Sequence, residues 1–167
     1  VNVVISNVKT ANILKKANDN NIDSVFISSM NKSRELFDKE INIHLKNKKV
    51  DLILLIGFMR ILSSYFCQEW KNKILNVHPS LLPKYSGEMD LNIHKQVIEN
   101  GDPETGCTIH YVTETLDSGP IIIQKKCCVS LDETPLSLKK KVQTLEGIAF
   151  IEAIKIYKKE LIKNENL

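Results

Sequence analysis

The sequence predicts a doubly wound α/β domain with a mostly parallel sheet, an antiparallel hairpin in its C-terminal half and a long C-terminal helix. Three observations carry that prediction. Short apolar runs alternate with stretches of helical periodicity through the first half. Two β-type runs, 107–113 and 120–129, face each other across the turn-rich segment Glu114 to Gly119. From Thr134 onward an apolar stripe recurs at helical spacing.

Composition sets the frame. With 167 residues, 43% hydrophobic and 26% charged, the chain can bury a real core in a single domain, 1–167, and is not a disordered tail. No run approaches the roughly 18 apolar residues of a membrane span, and no basic-then-apolar leader opens the chain. A cytoplasmic protein without a membrane partner is therefore expected. The balance of 23 basic and 20 acidic residues leaves +3, too weak a field to argue for nucleic acid. Arginine occurs only at Arg34 and Arg60, so an arginine at a motif position is informative. Cys67, Cys107, Cys127 and Cys128 show neither metal spacing nor a disulfide framework and read as reduced thiols.

Val1 to Ser6 reads as a short buried strand and Ala11 to Ala17 as a short helix. Val25 to Ser28 is a second strand. From Asn31 to Lys48, Leu36, Phe37, Ile41 and Leu45 recur at steps of three and four, the mark of a surface helix with one apolar face. Asp51 to Phe58 is almost wholly apolar, which suits a central parallel strand covered on both faces. Ser63 or Ser64 can cap a short helix to Trp70, and Lys73 to His78 is a strand stopped by Pro79. Pro79 to Gly87 is a loop. Asn92 to Asn100 is helical and ends at Gly101. In the last helix, Thr134 to about Leu161, Leu138, Val142, Leu145, Ala149 and Ile154 form the stripe. Asp132 or Thr134 is its cap and Pro135 lies in its first turn.

In such sheets ligands bind beyond the carboxyl ends of the strands, which directs attention to the residues after Phe58, Val77 and Val112. Asn76 and His78 project from one face of a strand end, roughly 7 Å apart. An amide donor beside an imidazole can stabilise an oxyanion, and the unprotonated imidazole can act as a base. Equally, Asn76 could serve a loop and His78 the core. Asp117, in Leu-Asp-Ser-Gly-Pro, is either turn chemistry or a carboxylate that holds a histidine in one tautomer and favours its charged form. Gly57 to Leu62 places apolar side chains around Arg60 at a strand end, as core or as a slot for a flat ligand. His110 shares a strand face with Thr108. A metal site from Cys107, His110 and His94 fits no zinc spacing, and no metal is expected. His44 reads as solvated.

Five blocks taken together closely resemble the phosphoribosylglycinamide formyltransferase family. They are Gly57-Phe58-Met59-Arg60-Ile61-Leu62, Asn76-Val77-His78-Pro79-Ser80-Leu81-Leu82-Pro83-Lys84-Tyr85-Ser86-Gly87, Glu99-Asn100-Gly101-Asp102, Gly106 to Thr113, and Leu116-Asp117-Ser118-Gly119-Pro120. The resemblance runs through nearly the whole chain. It implies a Rossmann-like formyltransferase fold and transfer of a formyl group from the cosubstrate 10-formyltetrahydrofolate to the amino group of glycinamide ribonucleotide in purine synthesis.

By the same resemblance Asn76, His78 and Asp117 are catalytic. Leu55, Met59, Arg60, Ile61, Leu62 and Thr113 line the folate pocket. Lys84, Gly87, Thr108, His110, Gln143 and Glu146 serve the nucleotide substrate, and the Leu82-Pro83 bond is expected to be cis. The expected partners are the two small molecules, with a monomer or weak homodimer as the assembly.

Two departures accompany the match. Glu88 to Ile93 is longer than the link expected there. The family opens with a strand and a glycine-rich phosphate-binding turn, whereas Val1 to Ser6 matches its second strand, so the domain is expected to be incomplete at its N-terminus and slightly trimmed at its C-terminus. Formyltetrahydrofolate deformylase, expected to carry His-His-Ser where this chain has His78-Pro79-Ser80, and an inactive folate-binding remnant are the alternative readings. Methionyl-tRNA formyltransferase would need a further tRNA-binding domain and a more basic surface.

Overall fold

A computed structural model describes residues 1–88 and 91–165. They form two compact units, 1–53 with 58–73, and 54–57 with the chain from Ile74 on. Met89 and Asp90, in the longer link noted above, lie outside the described residues. Among the described residues no helix is long and apolar enough to cross a membrane.

The first unit opens with a βαβ unit. Strand β1 (Val4–Ser6) pairs in parallel with β2 (Ser24–Phe26), and α1 (Asn12–Asp19) connects them. Helix α2 (Arg34–Asn47) starts where the Ser33 side chain accepts the Leu36 amide, satisfying one of the donors a helix start leaves over. Its buried face is Phe37, Asp38, Ile41, Asn42 and Leu45. Leu36, expected on that face, is 59% exposed.

The reason is polar. Asp38 accepts the Ser63 amide at 2.6 Å, while Asn42 accepts from the Trp70 indole at 2.8 Å and donates to the Tyr65 hydroxyl at 2.8 Å. Turning Leu36 inward would cost the helix these buried bonds. They tie α2 to α3 (Ser64–Glu69), which Ser63 caps through the Phe66 amide. His44, expected to be solvated, is half-buried.

In the second unit, β4 (Ile74–His78), β5 (Glu104–Tyr111) and β6 (Ile121–Cys128) follow β3 (Ile53–Leu55) in a four-stranded sheet of order β3-β4-β5-β6. The run Asp51 to Phe58 therefore yields only a three-residue strand at one end of that order, half-buried, with Ile56 68% exposed. The expectation was a central strand, and among the described residues the run lies at the end of the order instead. Apolar character reports a wish for cover, whereas sheet order depends on which distant strand pairs beside it.

Both β4–β5 and β5–β6 are antiparallel, with a register shift at Ile109 and His110. Helix α4 (Leu91–Glu99) ends ahead of Gly101, whose φ of +65° is the left-handed conformation that closes a helix. Helix α5 (Pro135–Glu165) begins with Thr134 accepting the Ser137 amide and buries Leu138, Val142, Ala149, Phe150, Ala153 and Tyr157. Leu138 packs with Ile93 and Val97 of α4 in one buried cluster, and Tyr85 lies against it. All four cysteines are free thiols, and burial pushes the Cys107 thiol up to about 12.

Candidate active site

The site is assembled by strand register. Asn76 and His78 stand two apart on β4, and the antiparallel pairing sets His110 opposite Asn76 and Thr108 opposite His78. Cross-strand neighbours of this kind have Cβ atoms about 5 Å apart, so an amide and two imidazoles share one patch. The bulge at Ile109 and His110 falls beside it, where bulges commonly re-aim side chains.

Asp117 enters from the segment between β5 and β6. Its Oδ2 lies 3.3 Å from His78 Nδ1 and its Oδ1 lies 3.7 Å from His110 Nε2, with the carboxylate 7% exposed. Asp117 Oδ2 also accepts the Gly87 amide at 2.9 Å. The residue holds a left-handed φ of +50°, which an aspartate tolerates better than most side chains.

Each imidazole is fixed by a backbone carbonyl. His78 Nε2 lies 2.9 Å from the Tyr85 oxygen and His110 Nδ1 lies 2.9 Å from the Tyr111 oxygen. A carbonyl can only accept, so each of these nitrogens carries the proton. That leaves His110 Nε2 as an acceptor for Asn76 Nδ2 at 3.3 Å. One of the two Asn76 amide protons is thereby used, and the other has no partner among the described residues.

Burial pushes both rings below the ordinary histidine value of 6.5. For His78 it outweighs the opposing pull of Asp117 and of the Tyr85 carbonyl. For His110 it outweighs the Tyr111 carbonyl and Asp117. Asp117 pulls toward the charged form of His78, as its place in the sequence suggested, but desolvation of the ring is the larger effect. His78 Nδ1 faces a carboxylate, a position from which a captured proton is at once stabilised.

The loop above the sheet is held from below. Thr108 is fully buried; it accepts from the Leu82 amide at 3.0 Å and Gln124 Nε2 at 2.9 Å, and it donates to the Ser80 carbonyl at 2.7 Å. A hydroxyl has one donor and two acceptor sites, so Thr108, expected against the substrate, has all of its hydrogen-bonding capacity used in supporting the loop. The Leu82-Pro83 bond is cis. Lys84 pairs with Asp102 at 2.5 Å, and Tyr85 has a φ of +60°, a conformation that costs a bulky residue about 1–3 kcal/mol and persists only when its surroundings hold it.

Met59 and Ile61 are exposed and Leu62 is buried. Arg60 lies over the Phe37 ring at 4.9 Å, its Nε buried and without a hydrogen-bond partner among the described residues. Leu55 sits on β3, and Thr113 bonds within its own loop to Thr115 and Ser118. Gln143 and Glu146 lie on α5, exposed and half-buried. Tyr85, Asn100, Asp102 and Gln124 were missed by reasoning from sequence. The available signals were the blocks of the resemblance that contain them, Asn76 to Gly87 for Tyr85 and Glu99-Asn100-Gly101-Asp102 for Asn100 and Asp102; Gln124 lies in neither.

The formyl transferase family model matches residues 1–154. The chain belongs to the formyl transferase family. This formyl transferase chain is 41% identical over 147 residues to the phosphoribosylglycinamide formyltransferase of Escherichia coli, covering 87% of the chain and 68% of that protein. It is 43% identical over 153 residues to the trifunctional purine biosynthetic protein adenosine-3 of Drosophila melanogaster, covering 91% of the chain but 11% of that protein. The chain thus spans about a tenth of the length of such relatives. Among solved structures, glycinamide ribonucleotide transformylase 1 from Symbiobacterium toebii superposes with a TM-score of 0.87 at 35% identity, covering 92% of the chain and 72% of that protein. The formyl transferase fold and its α/β class agree with the architecture described above.

Proposed function

We propose that this chain transfers a formyl group from 10-formyltetrahydrofolate to the amino group of glycinamide ribonucleotide. The observation that carries the reading is the cluster of half-buried Asn76 with the buried side chains of His78, His110 and Asp117. In the reaction the substrate nitrogen bonds to the formyl carbon, the bond from that carbon to the folate nitrogen breaks, and one proton passes from the substrate nitrogen to the folate nitrogen.

The free Asn76 N–H donates to the oxyanion that forms on the formyl group, and His110 aims that amide by accepting its other proton. His78 takes up the proton at Nδ1, where Asp117 lies 3.3 Å away. Its Nε2 proton is committed to Tyr85, so the imidazolium supports the oxyanion through its charge rather than through a direct bond. Preorganised groups of this kind each contribute roughly 10²- to 10³-fold in rate.

For the folate, exposed apolar Met59 and Ile61 flank Arg60 and its unsatisfied Nε. An apolar surface beside a donor fits a flat heteroaromatic ring. Leu55, Leu62 and Thr113 are assigned to the folate in the same reading, and Lys84, Gly87, Gln143 and Glu146 to the nucleotide.

The test is consumption of 10-formyltetrahydrofolate by the full-length protein with and without glycinamide ribonucleotide. Dependence on the nucleotide, lost by at least about 10²-fold in Asn76→Ala, is the expected result. Consumption without the nucleotide would make the protein a deformylase, and no consumption at all would make it a folate-binding remnant.

A further inference from the structure

The Glu99-Asn100-Gly101-Asp102 turn lies outside the reacting groups, yet it grips the loop that fixes them. Asp102 Oδ2 accepts from the Tyr85 hydroxyl at 2.7 Å, Asp102 Oδ1 accepts from Lys84 Nζ at 2.5 Å, and Asn100 Nδ2 donates to the same hydroxyl at 2.9 Å. The Asp102 side chain is 10% exposed. Lys84 Nζ also lies 5.7 Å from the centre of the Tyr85 ring. Behind the ring is the buried cluster of Ile93, Val97 and Leu138. Tyr85 is therefore held at its tip by Asp102 and Asn100, over its ring by Lys84 and on its apolar side by the cluster.

Its backbone does the opposite task and reaches toward the site. The Tyr85 carbonyl receives the His78 Nε2 proton at 2.9 Å, and two residues on, the Gly87 amide donates to Asp117 at 2.9 Å. The left-handed φ of +60° at Tyr85 turns the backbone in this way, and a tyrosine adopts it only where its side chain is anchored. The bond made by one ring nitrogen decides which nitrogen of a histidine is basic. The tautomer of His78 thus depends on where the Tyr85 carbonyl stands.

We propose that Asp102, with Asn100, is a positioning residue that acts through the Tyr85 phenol to hold His78 in its Nε2-protonated form and Asp117 against His78 Nδ1. The inference rests on the proposed function for its kinetic arm only. Its second arm reads His78 directly and needs no substrate.

The test uses Tyr85→Phe and Asp102→Ala in the full-length protein. Tyr85→Phe retains the ring, its packing and the backbone carbonyl, and removes only the anchored hydroxyl. Displacing a reacting group by about 1 Å costs on the order of 10²-fold, so kcat is expected to fall between 10- and 100-fold while the folate KM stays within twofold. In ¹⁵N-histidine spectra without substrate, the His78 Nε2 proton is expected to exchange with water at least tenfold faster in both variants than in the parent. Asp102→Glu, which keeps the charged acceptor, should recover part of both effects.

If Asp102→Ala fails to fold, Tyr85→Phe carries the test alone. Unchanged exchange at His78 in Tyr85→Phe overturns the proposal, as does a kcat within twofold of the parent. A parent protein that shows no turnover but displays the exchange difference would overturn the proposed function and leave the positioning role standing.

Discussion

His78 Nδ1 and Asp117 Oδ2 are 3.3 Å apart in a pocket where both side chains are less than a tenth exposed. Burial pushes the imidazole below its ordinary value despite the carboxylate beside it, and any proton gained at Nδ1 meets a negative oxygen at once. The pair is a proton acceptor poised by geometry.

Asp117→Asn keeps the shape of the side chain and an oxygen for the Gly87 amide, and removes the charge. Asp117 favours the imidazolium, so without it the His78 pKa falls further below 6.5. Turnover is expected to drop by about 10²-fold. An NMR titration of His78 together with initial rates checks both effects, and a His78 curve identical to the parent's would show the two groups uncoupled.

Stability should decline with acid in two stages. His78 and His110 both have folded-state pKa values below 6.5, so the unfolded chain binds more protons as the pH falls. Their contribution is complete above about 6.5 and is lost as pH drops through the folded values. Asp102 and Glu133, held below 3.8 and 4.5 chiefly by hydrogen bonds from Lys84 and Ser137, add a later loss at lower pH. Melting temperatures between pH 7.5 and 5 are expected to fall for the parent and to fall less steeply for His110→Gln; equal slopes would contradict the assignment.

Thr108→Val replaces a saturated hydroxyl with a methyl group of the same shape. The Leu82 amide and Ser80 carbonyl lose a buried partner, which is expected to cost about 2 to 4 kcal/mol. Thr108→Ser, which keeps the hydroxyl, should lose less than half of that. Denaturant midpoints measure the difference, and a valine variant as stable as the serine one would refute the role of the hydroxyl.

Gly119→Ala would put a Cβ 1.8 Å from the Tyr111 carbonyl oxygen, the oxygen that fixes His110. The backbone must move, so a loss of about 3 kcal/mol or more is expected, and His110 should lose its fixed tautomer. Gly147→Ala, inside α5 with open space around it, should instead stabilise the protein by up to about 1 kcal/mol. Thermal melts of the two variants should move in opposite directions.

Much of this protein is legible in short stretches of chain. Ser63 caps α3 and Thr134 caps α5 because a hydroxyl just ahead of an apolar period can satisfy an open amide. Gly101 ends α4 for an equally local reason. The alternation of a strand alone sets Asn76 and His78 on one face, and five spaced blocks were enough to suggest the formyltransferase fold.

The tertiary structure decided the rest. Leu36 against Asp38 and Asn42 on α2, the end position of β3, His110 opposite Asn76, and the grip of Asp102 on Tyr85 all depend on partners far away in sequence. Propensity and periodicity act over a few residues. Sheet order, helix rotation and hydrogen-bond closure are set by the sum of packing and buried polar bonds across the whole unit, so the sequence by itself determined which groups could react and only the folded chain decided which of them meet.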